Sequence, residues 1–189
     1  MAASVCMNFF LFIIAYYFKL PLWLDTTGTI YASILLGAPS GFVVAIANNL
    51  IQAFCFYGTD SLLFYIVSAL TAFITGHIMK NKKHNAKNWL MLLMCLFVSC
   101  SFVSVILTLI TTNGVPVDYW GSMIYQFLTK KEFSPILCTV LSVSLVKFFD
   151  IIVSSLFVMI AICLTPKVIK SNTATVKNNM AGNEYENKF

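Results

Sequence analysis

Arginine is absent from this sequence, and charged residues make up only 10% of its 189 positions, against 59% hydrophobic. So few charges cannot cover a compact water-soluble domain, which excludes a soluble enzyme and points to a chain surrounded by lipid. All twelve basic residues are lysine, and the positive excess gathers in Lys80–Lys87 and after Thr165. No continuous basic face results, so nucleic acid is not an expected partner. The six cysteines (Cys6, Cys55, Cys95, Cys100, Cys138, Cys163) lie nearly all in apolar runs. None has a second Cys or His at metal-ligand spacing, so they read as small apolar packing residues and no metal is expected. There is no His-Glu-x-x-His, no Gly-x-Ser-x-Gly, no phosphate-cradling glycine loop and no twin-carboxylate cluster. Catalysis, a resident cofactor and ATP hydrolysis are therefore not expected of this chain.

What is present is a series of long apolar runs. Residues 4–20 form the first, and with no basic leader and no small-residue cleavage site it reads as a retained helix. Pro21 to Thr29 is a polar elbow whose Asp and Thr side chains can cap a short second helix at about 28–37. Gly37-Ala38-Pro39-Ser40-Gly41 turns the chain into a third helix, about 41–57. Tyr57-Gly58-Thr59-Asp60 leads into a fourth at 60–79, followed by the basic loop Lys80–Lys87. A fifth covers about 89–111, residues 112–136 read as a long polar connection, and the last runs roughly 139–165.

The expectation is an all-α integral membrane protein, with six transmembrane helices in a compact bundle over 1–166 and a disordered tail over 167–189. Residues 21–57 hold either two full spans or a re-entrant pair. The two lysine clusters are separated by two helices, so the positive-inside rule puts both, and both termini, in the cytoplasm of a multi-pass protein of the cell membrane. Lys19, Lys130 and Lys131 oppose that orientation and are outnumbered by the two clusters. Trp23 and Trp120 at the outer boundary and Trp89 at the inner one suit interfacial aromatic belts.

Polar residues inside apolar helices carry the functional signal. Asn48 and Asn49 are adjacent, about 100° apart around a helix, so at least one faces the bundle interior. An interhelical hydrogen bond or a ligand contact accounts for them equally well. Lys147 and Asp150 are three apart on one face, either a self-neutralising ion pair or one wall of a pocket. A last helix starting at its earliest apolar residue puts both deep in the bilayer, and one starting near Ser144 puts them about 5–9 Å below the outer surface. Asp25, with Thr26, Thr27 and Thr29, is a helix cap or a ligand site. Ser68, Ala72 and Gly76 form a small-residue stripe suited to close helix packing. His77 and His84 have no evident partner.

The elbow Pro21-Leu22-Trp23-Leu24-Asp25-Thr26-Thr27-Gly28-Thr29, the turn Leu36-Gly37-Ala38-Pro39-Ser40-Gly41 and the segment Ala47-Asn48-Asn49-Leu50-Ile51 together resemble the substrate-binding components of energy-coupling-factor transporters. Lys147-Phe148-Phe149-Asp150 and Thr165-Pro166-Lys167 are similar to the last helix of an uncharacterised branch of that family. The resemblance implies a six-helix capture protein for a vitamin-like small molecule or a metal ion. It also implies docking on a transmembrane coupling subunit with two ATPases, and a ligand near the outer leaflet beneath the first interhelical loop. The alanine motif by which the family docks is not clear here, with only Ala2, Ala3 and Ala15 available in the first helix. The site residues it suggests are Asp25, Thr27, Asn48, Asn49, Lys147 and Asp150. A ligand-sensing or structural membrane protein without transport activity is the alternative, since related membrane domains also occur joined to signalling modules.

Overall fold

A computed structural model describes residues 1–79 and 85–165, without the side chains of Thr59 and Asp60. Most of the basic loop, with His84, and the tail expected over 167–189 lie outside the described residues. Every regular element among the described residues is helical. In order these are α1 (Ala2–Tyr17), α2 (Thr27–Leu36), α3 (Ala38–Gln52), α4 (Tyr65–Ile78), α5 (Ala86–Thr112), α6 (Tyr119–Thr129) and α7 (Pro135–Leu164). α3 runs on through a π turn, Ala53–Tyr57, and a 3-10 turn, Thr59–Phe64, introduces α4.

Four stretches are long and apolar enough to cross a membrane: Ala38–Tyr57, Ser61–Ile78, Ala86–Thr112 and Pro135–Leu164. The chain is thus an all-α protein with the makeup of a membrane protein. α1 and α2 are apolar but shorter, at 16 and 10 residues. At ~1.5 Å per residue they reach about 24 and 15 Å, each less than the ~30 Å hydrocarbon layer.

Contacts explain how two short helices fit among long ones. The amide of Gly28 donates to the Asn8 side chain, and Asn8 Nδ2 donates to Thr29 Oγ1 at 3.1 Å. A Cβ on Gly28 would land on the Ser4 carbonyl, so the start of α2 lies directly against the first turns of α1. From that level α1 rises, and Phe12 and Tyr16 pack on Phe56 and Tyr57 at the end of the π turn. From the same level α2 descends, and Tyr31 bonds Thr165 at the far end of α7 (2.8 Å). The elbow between them therefore dives from one end of the bundle to its middle. α2 then carries the chain on to the far end, and α3 returns it to the elbow end.

The Ser68-Ala72-Gly76 stripe packs on α3 along its whole length. Asn49 donates to Ser68 Oγ at 3.0 Å. A Cβ on Gly41 would sit 3.0 Å from Ala72, and one on Gly76 only 2.6 Å from Ala38. The half of the bundle away from the elbow is filled with side chains such as Ile34, Leu92, Leu96 and Val158, all buried.

Two expectations need correction. Residues 112–136 are not simply a polar connection, because they contain α6. α5 ends where Asn113 turns left-handed (φ 52°) and Gly114 N donates back to Thr108 O at 3.1 Å, a Schellman-type stop. Asp118 then caps α6 by accepting from Gly121 N at 2.6 Å. Tyr119, Met123 and Phe127, four residues apart, give α6 an exposed apolar face. The last helix also begins earlier than expected, at Pro135, where a proline lacking an N–H suits the first turn.

Candidate functional site

The elbow is fastened before it forms a site. Leu24 is a buried leucine in the left-handed region (φ 53°), a conformation that costs a non-glycine residue energy and needs external support. Asp150 supplies it. Its Oδ1 accepts from Trp23 N at 2.9 Å and from Leu24 N at 2.7 Å, while Oδ2 lies 3.7 Å from Lys147 Nζ. Asn48 Nδ2 donates to the Asp25 carbonyl at 3.0 Å, and Thr27 Oγ1 to the Leu24 carbonyl at 3.3 Å. Three side chains, from two long helices and the start of α2, thus hold its backbone deep in the bundle.

Beside this elbow lies a cavity of about 420 Å³. Asp25, Asn49 and Lys147 line it, and Thr27, Asn48 and Asp150 do not. The six residues singled out from the sequence are therefore one neighbourhood with two roles: three face the space and three hold the chain that shapes it. Of the two depths the sequence allowed, the structure has the deeper. Lys147 and Asp150 lie twelve and fifteen residues into α7, about 18 and 22 Å from its start at Pro135 rather than 5–9 Å, because the helix begins earlier. Asn48, beside Asp25, is nine residues below Tyr57, about 13 Å.

Several lining residues were not anticipated. Gln52 faces the cavity one turn above Asn49, 5% exposed and with its Nε2 unpartnered; Ser104, 2% exposed, is likewise unpartnered at Oγ. Oδ1 of Asp25 has no hydrogen-bond partner either. From α5 come Thr108, Thr111 and Thr112, whose spacing of three and four puts them on one face, a pattern readable from sequence. Trp23, Phe56, Tyr57 and Phe64 give flat apolar walls. Asp118, on the connection ahead of α6, closes the elbow end. Burial pushes its carboxyl above the usual carboxylate range, against the downward pull of the Gly121 N–H.

Unpartnered polar atoms around an interior space are costly in an apolar bundle, about 1–3 kcal/mol each, unless something fills the space and bonds to them. The arrangement can therefore bind and orient a small molecule. Among the described residues no three His, Cys, Asp or Glu side chains gather as a metal site. No family model, curated protein or solved structure matches this chain.

Proposed function

We propose that the protein is a membrane-embedded substrate-capture subunit. It takes a vitamin-like small molecule from the outer side of the cell membrane and delivers it by docking on a separate coupling subunit with two ATPases. The observation that carries this reading is the cavity beneath the elbow, where Asp25, Gln52 and Ser104 present polar atoms without partners. In this arrangement α1 and α2 join the four long helices as a six-helix bundle with both termini cytoplasmic.

The test has two parts. Mass spectrometry of the detergent-purified protein should find a co-purifying small molecule. In cells, that molecule should accumulate against a gradient only when coupling ATPases are present. Concentrative uptake in cells lacking every coupling module would remove the capture reading, and ligand binding with no uptake under any condition would favour a sensor.

Orientation gives a second expected outcome. In a background without the six native cysteines, Lys131→Cys, at the elbow end, should react with a membrane-impermeant maleimide added outside. Lys87→Cys, at the far end, should react only after the membrane is opened. Both positions are exposed, so the contrast reports sidedness alone. The reverse pattern would invert the topology.

A further inference from the structure

We infer that the cavity selects a small organic cation, a flat ring bearing a positively charged group with N–H donors, seated with that charge at Asp25. The inference rests on the capture reading and adds the chemistry of the captured molecule. Two carboxylates, those of Asp25 and Asp118, line the space, and Asp150 stands behind it, against the single ammonium of Lys147. That ammonium lies 3.7 Å from Asp150, the residue that also holds the elbow. Asp25 faces the cavity with Oδ1 unbonded and shares the Lys147 ammonium with Asp150. Two carboxylates sharing one ammonium leave one negative charge over in a low-dielectric interior, and a ligand of opposite sign offsets it.

The hydroxyls point the same way. Thr108 donates its proton to Ser104 O at 2.8 Å, Thr111 to Leu107 O at 2.8 Å, and Thr112 to Thr108 O at 2.9 Å. A hydroxyl that gives its proton to its own helix offers only lone pairs to the space it faces. These three threonines are thus a row of acceptors suited to N–H groups, beside the unpartnered Ser104 hydroxyl, which can donate or accept. Trp23, Tyr57, Phe56 and Phe64 supply ring faces for stacking and for cation–π attraction. The free Nε2 of Gln52 is a donor, placed for an acceptor atom on the ligand. An anion would meet Asp25 and the α5 lone pairs, and the Lys147 ammonium on the wall is already engaged by Asp150.

Benzamidine, neutral benzamide and benzoate share one shape and differ in charge, so titration of the purified protein with each isolates the effect. Benzamidine should bind at least tenfold more tightly than either of the others. Asp25→Asn should erase that preference, with gel filtration reporting the fold. The wild-type ranking by itself tests the inference if that variant does not fold. Equal binding of benzamide, tighter binding of benzoate, no binding of any probe, or a preference that survives Asp25→Asn would each overturn it. The two readings fail separately. A co-purifying molecule that is neutral or anionic removes the cation inference and leaves capture standing. Uptake that needs no ATPase removes capture and leaves the charge preference intact.

Discussion

Asp150→Leu should release the elbow and leave little protein that can be purified in a single folded form. The change removes the acceptor of the Trp23 and Leu24 amides, and each donor stranded inside the bundle costs about 1–3 kcal/mol. It also leaves the Lys147 ammonium without its partner, and breaking a buried pair from one side costs about 3–5 kcal/mol. If the pair were only two charges cancelling, Lys147→Met combined with Asp150→Leu would restore a stable protein. The expected result is that the double variant recovers only the part due to the stranded ammonium and stays well below wild type, because the two amides remain unbonded. Lys147→Met combined with Asp150→Asn keeps an oxygen for those amides without stranding the ammonium, and should retain most of the stability. Thermal unfolding in detergent ranks the three variants, and full recovery in the double variant carrying Asp150→Leu would show that Asp150 is no more than a counter-ion.

Gly28→Ala is the second change with a large expected effect. The added methyl would collide with the main chain of Ser4, so a rotamer change cannot relieve the clash. α1 must move away, which also breaks the bonds from Gly28 N to Asn8 and from Asn8 to Thr29. Overpacking costs about 1–3 kcal/mol, and loss of a buried bonded network adds a similar amount. A shift of several degrees in thermal unfolding, with weakened ligand binding, is expected. Adding Ser4→Gly should not help, because the obstacle is a backbone oxygen. Rescue by that second change would overturn the close-contact explanation.

The sequence was informative wherever a single residue type stood out from its surroundings. Asp25, Asn49 and Lys147 are polar among apolar neighbours, and all three face the cavity. α6 was hidden because Gly114, Pro116, Asp118 and Gly121 signal a loop. The same Asp118 is a helix cap, and the apolar spacing of Tyr119, Met123 and Phe127 is helical. Thr108, Thr111 and Thr112 drew no notice because threonine is common in apolar helices; only their shared face distinguishes them. The division of labour between Asp25 and Asp150 could not be read at all. It depends on which carboxylate meets two amides 126 and 127 residues away, and on a left-handed leucine, neither of which leaves a local mark.

The π turn after α3 has a consequence for how this chain can change over generations. Between Ala53 and Tyr57 the helix carries one residue more than a regular turn, closed by the Gly58 amide on the Ala53 carbonyl at 2.9 Å. That residue adds about 100° of rotation, which brings Phe56 within 5.2 Å of Phe12 and Tyr57 within 5.7 Å of Trp23, ring centre to ring centre. Phe54 and Cys55 meanwhile point outward, fully available to lipid. Replacing either one alters only the outer surface, whereas deleting either would swing Tyr57 off the wall of the cavity. Positions 54 and 55 should therefore accept changes of spelling, whereas the number of letters between Gln52 and Gly58 should not be open to change.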